Sequence, residues 1–374
     1  MTEYSQTVCS QSASFAPLKH VTAVLECKPF IRCDDEIVHE LDDTEAFLRA
    51  SVDQQPDNAL YNHLLGRCLY LVRRYEDAEP FLRAAVNGEP NNATFIYWLG
   101  HCLDLQLRHK DAEPFLRTAV EAEPSNALYN HCLGYCLYCL LGEPAVPYLR
   151  AAAEAEPYNG PYSFWLGYCL YHLLRDRGEE PAVPYLRAAV RAEPYNGTYN
   201  LWLGCCLVTL LRYGDAEPFL RTAVRARPND VRSKYVLGDC LYLLSKYKDA
   251  EPFLRAAVRW RPNYGPFNQV LGECLCRLSK YKDAEPFLHT AVEAEPGNTD
   301  YKAWLEHCRD KQRSSISRFF GWGGGHHTER TSQRTSQRQE KDPNRHAPQV
   351  QNMNNIAHQQ WQGYIACNPG AYSI

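Results

Sequence analysis

A Leu-Gly pair that returns at nearly constant intervals is the feature that most limits what this chain can fold into. The pair occurs seven times, and its glycines are Gly66, Gly100, Gly134, Gly167, Gly204, Gly238 and Gly272. The intervals between them are 34, 34, 33, 37, 34 and 34 residues. Such a period indicates a repeat protein, in which each repeat is a small supersecondary element that buries its apolar face against its neighbours.

Each repeat divides into two helical stretches. In repeat 1 the apolar residues fall at intervals of three and four in two runs, 65–72 and 78–86, which is the spacing of one face of an α-helix. The link between the runs, 73–77, is short, so the two helices must pack as an antiparallel hairpin. The glycine inside each first helix costs roughly 0.5–1 kcal/mol relative to alanine. Because this cost must be offset, we expect that the missing side chain at each glycine lets another helix approach closely.

Every second helix contains a proline. The prolines are Pro80, Pro114, Pro147, Pro184, Pro218, Pro252 and Pro286. Proline costs about 3 kcal/mol deep in a helix but is tolerated in its first turn, so we expect each second helix to begin just before it. The aspartates three residues ahead would then act as N-cap residues. They are Asp77, Asp111, Asp215, Asp249 and Asp283.

The repeat resembles the tetratricopeptide repeat, which combines Leu-Gly in the first helix, two alanines seven residues apart in the second, such as Ala78 and Ala85, and a closing proline such as Pro90. The resemblance covers about residues 59–296, with half-repeats on either side. It implies an all-α, right-handed superhelical solenoid of tandem antiparallel helix pairs, with the first helices lining a concave surface. Asparagine replaces the family's usual aromatic residue before Leu-Gly at Asn62, Asn130, Asn200 and Asn268.

Three segments follow from the repeat pattern. We expect an irregular leader over residues 1–42, a helical array of seven full repeats plus flanking half-repeats over 43–311, and a polar, mostly disordered tail over 312–374. The tail is rich in Gln, Ser, Thr, Asn and Arg, and contains the duplication at 330–338. Such a composition cannot bury enough apolar surface to order itself.

The family resemblance implies which positions point into the concave surface: three before, one after and four after each Leu-Gly glycine. In this chain they are rich in tyrosine and histidine. The candidate partner-binding residues are His63, Arg67, Tyr70, Tyr97, His101, His131, Tyr135, Tyr138, Phe164, Tyr168, Tyr171, Tyr235 and Tyr242. Aromatic side chains bury a large area at low entropy cost, so we expect them to bind a protein partner's peptide or helix. Alternatively, the rings only fill the space between successive first helices.

Composition weighs against other functional classes. The net charge of −4 and the pI near 6.4 disfavour nucleic-acid binding, which normally needs a surplus of Lys and Arg. An RNA-binding helical repeat protein, or the regulatory arm of a separate enzyme, are the alternative hypotheses. No apolar run reaches the roughly 18 residues that a membrane span requires, and the first residues lack the pattern of a signal peptide. We therefore predict a cytoplasmic protein that contacts no membrane.

Cysteine use indicates packing, not chemistry. Eight of the sixteen cysteines occupy one repeat position: Cys68, Cys102, Cys136, Cys169, Cys206, Cys240, Cys274 and Cys308. Buried free cysteine behaves as a compact apolar residue. Cys132, Cys136 and Cys139 share one helix beside His131, but a zinc site needs ligands that converge from two elements, so we predict no metal and no cofactor. A helical stack lacks the enclosed cavity that acid–base chemistry uses, so we predict no small-molecule substrate and no enzymatic activity.

Overall fold

The computed structural model describes residues 35–140, 142–174 and 181–320. The chain divides into two compact bodies, an N-terminal body that ends at Cys169 and a C-terminal body that begins at Leu170. Residues 1–34, 141, 175–180 and 321–374 lie outside the described residues, and with them most of the expected leader and tail, including the duplication at 330–338.

Helices form both bodies. Those of the N-terminal body are α1 (Asp35–Gln54), α2 (Ala59–Leu71), α3 (Tyr75–Gly88), α4 (Ala93–Leu105), α5 (His109–Ala122), α6 (Ala127–Leu140), α7 (Val146–Ala155), which follows a 3-10 turn at Glu143–Ala145, and the start of α8 (Gly160–Leu174). Those of the C-terminal body are the end of α8, then α9 (Ala182–Ala192), α10 (Gly197–Thr209), α11 (Tyr213–Ala226), α12 (Val231–Leu243), α13 (Tyr247–Trp260), α14 (Gly265–Arg277), α15 (Tyr281–Ala294) and α16 (Thr299–Phe320).

The helix pairs stack in sequence order within each body. From α2 to α15, even-numbered helices are the first helices of repeats 1 to 7 and odd-numbered helices are the second helices. In the N-terminal body α1 to α7 pack consecutively, and in the C-terminal body α9 to α16 do the same. The described residues contain no β-strand. The prediction of an all-α, solenoid-type stack of antiparallel helix pairs is therefore confirmed.

A leucine of the second helix packs against the Leu-Gly glycine in six repeats. A Cβ atom on Gly66 would lie 2.6 Å from Cγ of Leu82, and one on Gly134 would lie 2.7 Å from Cγ of Leu149. Real Cβ atoms do not approach so closely, so a side chain would force the helices apart. The same arrangement occurs at Gly100, Gly204, Gly238 and Gly272. The expectation that the glycines permit close helix approach is confirmed.

The common cysteine links its helix to the preceding helix pair at six of its eight positions, Cys68, Cys102, Cys136, Cys240, Cys274 and Cys308. The thiol of Cys102 donates to the backbone carbonyl of Tyr75 at 3.3 Å, and that of Cys274 donates to the carbonyl of Tyr247 at 3.3 Å. All eight cysteines at this position are buried, which confirms their predicted packing role. Each accepting carbonyl belongs to a residue at the start of a second helix or, for Cys68, to Leu41 within α1.

The asparagines that depart from the family pattern tie the first helix to the loop before it. Nδ2 of Asn62 donates to the carbonyl of Pro56 at 2.7 Å and to that of Asn58 at 3.0 Å. The same pair of hydrogen bonds recurs at Asn130, Asn200 and Asn268. An aromatic ring could not satisfy these carbonyls, so the replacement has a structural cause.

The predicted start of the second helices was wrong in five repeats. Helix α3 begins at Tyr75, so Pro80 lies in its second turn and Asp77 lies inside the helix. Asp77 does not cap the helix; its carboxylate pairs with Arg74 at 2.7 Å. Asp111, Asp215, Asp249 and Asp283 likewise lie within helices that begin ahead of them. The helix starts earlier because the turn before it is tight: in repeat 1 the left-handed residue, Arg73, stands only two residues ahead of Tyr75.

A left-handed residue joins the two helices of most repeats. Its φ is 63° at Arg73, 62° at Leu107, 60° at Leu211, 59° at Ser245 and 60° at Ser279. The next N–H then reaches back to the first helix, as in the 2.8 Å hydrogen bond from Arg212 to the carbonyl of Leu207. This is the Schellman arrangement, in which glycine is the usual left-handed residue.

The ends of the described array extend past the expected domain limits. Helix α1 begins at Asp35, inside the segment expected to be an irregular leader, and α16 continues to Phe320, inside the segment expected to be a tail. The leader and tail assignments for the remaining residues stay predictions.

The glycine packing gives a matched pair of substitutions in repeat 5. We expect Gly204→Ala to lower the free energy of unfolding by about 1–3 kcal/mol, because its Cβ would lie 2.6 Å from Cγ of buried Leu220. Gly214, in helix α11, has nothing within 4 Å of an added Cβ. Gly214→Ala should therefore stabilise the fold by about 0.5–1 kcal/mol. Urea titration measures both, and equal effects would contradict the packing role of Gly204.

The left-handed turn gives a second pair. We expect Leu211→Gly to raise the free energy of unfolding by about 0.5 kcal/mol. The substitution removes a backbone strain of about 1–2 kcal/mol, and about half of this gain is offset because glycine loses more conformational entropy on folding. Little packing is lost, since Leu211 is 57% exposed. The control is Leu210→Gly, where φ is −83° and the substitution should destabilise. Thermal unfolding distinguishes them, and destabilisation by both would show that the turn is unstrained.

Candidate functional site

The predicted partner-binding residues of the N-terminal body lie on α2, α4, α6 and α8, where successive first helices meet. We call this surface the aromatic strip; it consists of the candidate residues from His63 to Tyr168. The hydroxyl groups of Tyr70 and Tyr97 both lie 3.1 Å from Nδ1 of His101. The imidazole thus joins two first helices by hydrogen bonds.

Ring contacts continue the strip from α6 to α8. The Tyr135 ring meets Trp165 edge-on with 4.7 Å between centroids, and the Tyr138 ring meets Tyr168 at 5.7 Å. His131 packs against Tyr162 at 4.7 Å. Edge-to-face contacts such as those of Tyr135 and Tyr138 stabilise by about 0.5–1.5 kcal/mol beyond area burial, so the strip also holds the stack together.

Burial divides the candidate residues into two groups. Those with little exposed surface are His63, Tyr70, Tyr97, Phe164 and Tyr168 in the N-terminal body and Tyr171, Tyr235 and Tyr242 in the C-terminal body. Those that are half-buried are Arg67, His101, His131, Tyr135 and Tyr138. The buried rings fill the space between first helices, and the half-buried group is the part of the strip that a partner can reach. The binding role of either group stays a prediction.

The imidazoles of the strip are neutral at pH 7. Burial lowers the pKa of His63 to about 3, helped by the charge of Arg67, and burial lowers the pKa of His101 to about 4. Burial, followed by the neighbouring His101, lowers the pKa of His131 to about 3. Within the described part of the chain, Nδ1 of His63 and of His131 makes no hydrogen bond. The strip therefore contains neutral, buried polar atoms among its aromatic rings.

Tryptophan contributes to the strip although the sequence analysis did not select it. Trp98 carries the guanidinium of Arg67 at 4.6 Å from its ring centroid, a cation–π contact. Trp165 contacts Tyr135 and Tyr168. The signal was available, since Trp98, Trp165 and Trp202 stand at one repeat position, two residues before the glycine.

The C-terminal body holds a buried acidic pair that is not among the candidate residues selected from the sequence. Oε2 of Glu273 accepts a hydrogen bond from the Tyr242 hydroxyl, and Oε1 accepts one from Nε2 of Gln269, each at 2.6 Å. Burial raises the pKa of Glu273 to about 7, and burial together with the charge of Glu273 raises the pKa of Asp239 to about 7. Both stand directly after a Leu-Gly glycine, where a charged residue on a buried helix face is the available signal.

Comparisons with known proteins agree with the repeat. One family model described as tetratricopeptide repeat matches residues 69–131 and 241–308, and a second with the same description matches 180–231 and 203–264. Together with the stacked helix pairs, these matches identify the class: the chain belongs to the tetratricopeptide repeat family. The comparison with curated proteins gives no match.

Several solved structures are similar to parts of the chain. YrrB, described as a TPR protein with an unusual peptide-binding site, is 21% identical, with 50% of this chain and 95% of YrrB covered and a TM-score of 0.42. PilF of Pseudomonas aeruginosa is 18% identical, with 57% and 97% covered and a TM-score of 0.48. MamA of Desulfovibrio magneticus RS-1 is 23% identical, with 46% and 97% covered and a TM-score of 0.40.

Across the described ranges, no helix combines the length and the apolar character that crossing a bilayer requires.

The buried acids predict a pH dependence of stability. Because the folded state raises the pKa of Asp239 and of Glu273 to about 7, it holds protons that the unfolded chain releases near pH 4. The stability that proton binding by these two side chains contributes is therefore complete below about pH 4 and is lost as the pH rises to about 7. Asp239→Asn should flatten this decline and be more stable than the parent chain at pH 8 by about 1 kcal/mol or more.

The control is Asp283→Asn, which removes an exposed carboxylate of the same body. Urea titrations at pH 4, 6 and 8 measure the difference in slope. Equal flattening in both variants would contradict the assignment to the buried pair.

Proposed function

We propose that the protein is a non-catalytic interaction scaffold that holds a peptide or helix of a protein partner along the aromatic strip. The observation that carries the proposal is the placement of five half-buried side chains on three successive first helices, α2, α4 and α6. They are Arg67, His101, His131, Tyr135 and Tyr138. Tetratricopeptide repeats are stacks of this kind, and extended binding surfaces are a general use of helical repeat arrays.

The chemistry of the strip favours a partner segment with apolar or aromatic side chains. The rings of Tyr135 and Tyr138 can bury such side chains at low entropy cost, since each ring is already fixed by contact with its neighbours. Nδ1 of the neutral His131 imidazole is buried, so a hydrogen bond to the partner's backbone would use Nε2. Arg67, held over Trp98, supplies the positive charge among the half-buried residues, so an acidic residue at one end of the segment fits.

A protein partner agrees better with this surface than RNA does. The half-buried residues contain one cation, Arg67, and the chain carries a net charge of −4, whereas RNA binding depends on repeated basic contacts. The proposal includes a cytoplasmic location and the absence of catalysis. The use of cysteine as a buried packing residue supports the location, because thiols persist in reducing compartments.

The test uses peptides selected from a random display library by the full-length chain. We expect Tyr135→Ala combined with Tyr138→Ala to weaken binding of a selected peptide by at least about tenfold, because aromatic anchors typically contribute more than about 1 kcal/mol each. Fluorescence anisotropy measures the dissociation constant, and circular dichroism verifies that the variant remains folded.

Tyr158→Ala is the matched control, since Tyr158 is 94% exposed in the loop between α7 and α8. It makes the same chemical change away from the strip and should leave the affinity unchanged. Equal loss in both variants, or none in the double variant, would reject the strip as the binding surface. A steep loss of affinity for a single-stranded RNA with salt would favour the RNA alternative.

A further inference from the structure

Three side chains of metal-ligand type converge between repeats 2 and 3. Asp104 lies near the end of α4, His109 is the first residue of α5, and Cys136 lies in the middle of α6. Nδ1 of His109 lies 2.7 Å from Oδ1 of Asp104. The ligand atoms of the three residues all lie within 4.8 Å of one another. Three helices thus supply one ligand each, which three cysteines on a single helix could not do.

The site lies in the interior of the stack. The side chain of Asp104 is 2% exposed and that of His109 is 18% exposed, while Cys136 is fully buried. A buried carboxylate is costly unless it is hydrogen-bonded or neutralised. His109 provides a hydrogen bond to Asp104, and the Cys136 thiol interacts with the same carboxylate, so the burial of this acid depends on both groups.

Comparison of the repeats shows a tyrosine pair at the positions of Asp104 and His109 in repeats 1 and 6, whereas repeat 5 has Val208 and Tyr213 there and repeat 7 has Cys276 and Tyr281. At the same two positions repeat 1 has Tyr70 and Tyr75, whose rings pack edge-on at 5.4 Å. Repeat 6 has Tyr242 and Tyr247 there, with rings 5.6 Å apart. Repeat 2 has exchanged this apolar ring pair for a carboxylate and an imidazole together.

The thiol beside this pair is present in every case. Cys102 lies next to Tyr75 and Cys274 next to Tyr247, each donating to that tyrosine's backbone carbonyl, and Cys136 donates in the same way to the carbonyl of His109 at 3.3 Å. The structural role of the cysteine is therefore common to the repeats. Among the residues that the structure describes, the group of Asp104, His109 and Cys136 is the one in which two further ligand-type side chains lie around the thiol.

We propose that Asp104, His109 and Cys136 bind a Zn²⁺-class divalent ion that fastens repeat 2 to repeat 3. An imidazole nitrogen, a thiolate and a carboxylate oxygen form a ligand set suited to zinc, with a fourth position for water. The ion displaces the proton of the Cys136 thiol to solvent, and the His109 imidazole binds in its neutral form. The thiolate and the carboxylate then balance the two positive charges, so the buried site is neutral.

Small side-chain shifts complete the geometry. Tetrahedral ligation at zinc distances places neighbouring ligand atoms about 3.4–3.6 Å apart. Asp104 and His109 must therefore move apart from their 2.7 Å contact, and Cys136 must move toward them. The site is not the cluster of Cys132, Cys136 and Cys139 that the sequence analysis rejected, since Cys132 lies 3.4 Å from the Tyr97 hydroxyl and takes no part.

The test uses the full-length chain, stripped of metal under reducing conditions, with Co²⁺ as a spectroscopic probe. We expect one equivalent to bind with a thiolate-to-cobalt charge-transfer band, and Zn²⁺ to displace it. Cys136→Ala should weaken this binding more than about 100-fold, since loss of groups that merely orient ligands already costs 10–100-fold. Cys102→Ala, the same repeat position beside Tyr75, is the matched control and should leave the band intact.

A second variant does not depend on the thiol. Asp104→Tyr combined with His109→Tyr restores the ring pair of repeats 1 and 6, so it should fold, lose the one-equivalent band and lose the rise in Tm that Zn²⁺ gives the parent chain. Binding in this variant equal to that of the parent chain would overturn the proposal, because other thiols would then hold the metal. The absence of one-equivalent binding in the parent chain would overturn it equally.

Discussion

The contact between a first-helix glycine and a second-helix leucine is the interaction on which the rest of the structure depends. At Gly66 and Gly134 a side chain would lie less than 3 Å from Leu82 and Leu149, so the absence of a side chain is what lets the two helices of these hairpins pack at their observed distance. That closeness fixes which face of each first helix is left for the next repeat. The cysteine thiols, the asparagine amides and the aromatic strip all follow from this placement.

The fold could be predicted well from the sequence because the repeat period reflects contacts between residues that are close in the chain, within one repeat or between neighbouring repeats. Seven glycines at a regular spacing specify the helix pairs, and the cysteines at one position specify what lies between them. The predicted start of the second helices was wrong in five repeats, and the reason is physical. The left-handed turns at Arg73 and Leu107 let the second helix begin earlier than expected from a proline in its first turn. Asp77 forms an ion pair with Arg74 and does not cap the helix.

The sequence predicted where the candidate site residues lie but not how exposed they are. Position in the repeat places Tyr97 and Tyr135 on first helices, yet Tyr97 is 1% exposed because it stacks on Tyr129, while Tyr135 is half-buried. Exposure depends on side chains of the neighbouring repeat, which differ in size from one repeat to the next. Asp104 and His109 are recognisable only when the same positions are compared across repeats and a tyrosine pair is found in their place.

The central claim is that a partner lies on the first helices of the N-terminal body, while the second helices serve as their support. Hydrogen–deuterium exchange of the full-length chain, with and without a saturating library-selected peptide, tests it most directly, because protection reports local opening along the backbone. The account predicts that the peptide slows exchange in α4 and α6 more than in α5. Protection confined to α3 and α5, or to the C-terminal body, would contradict it.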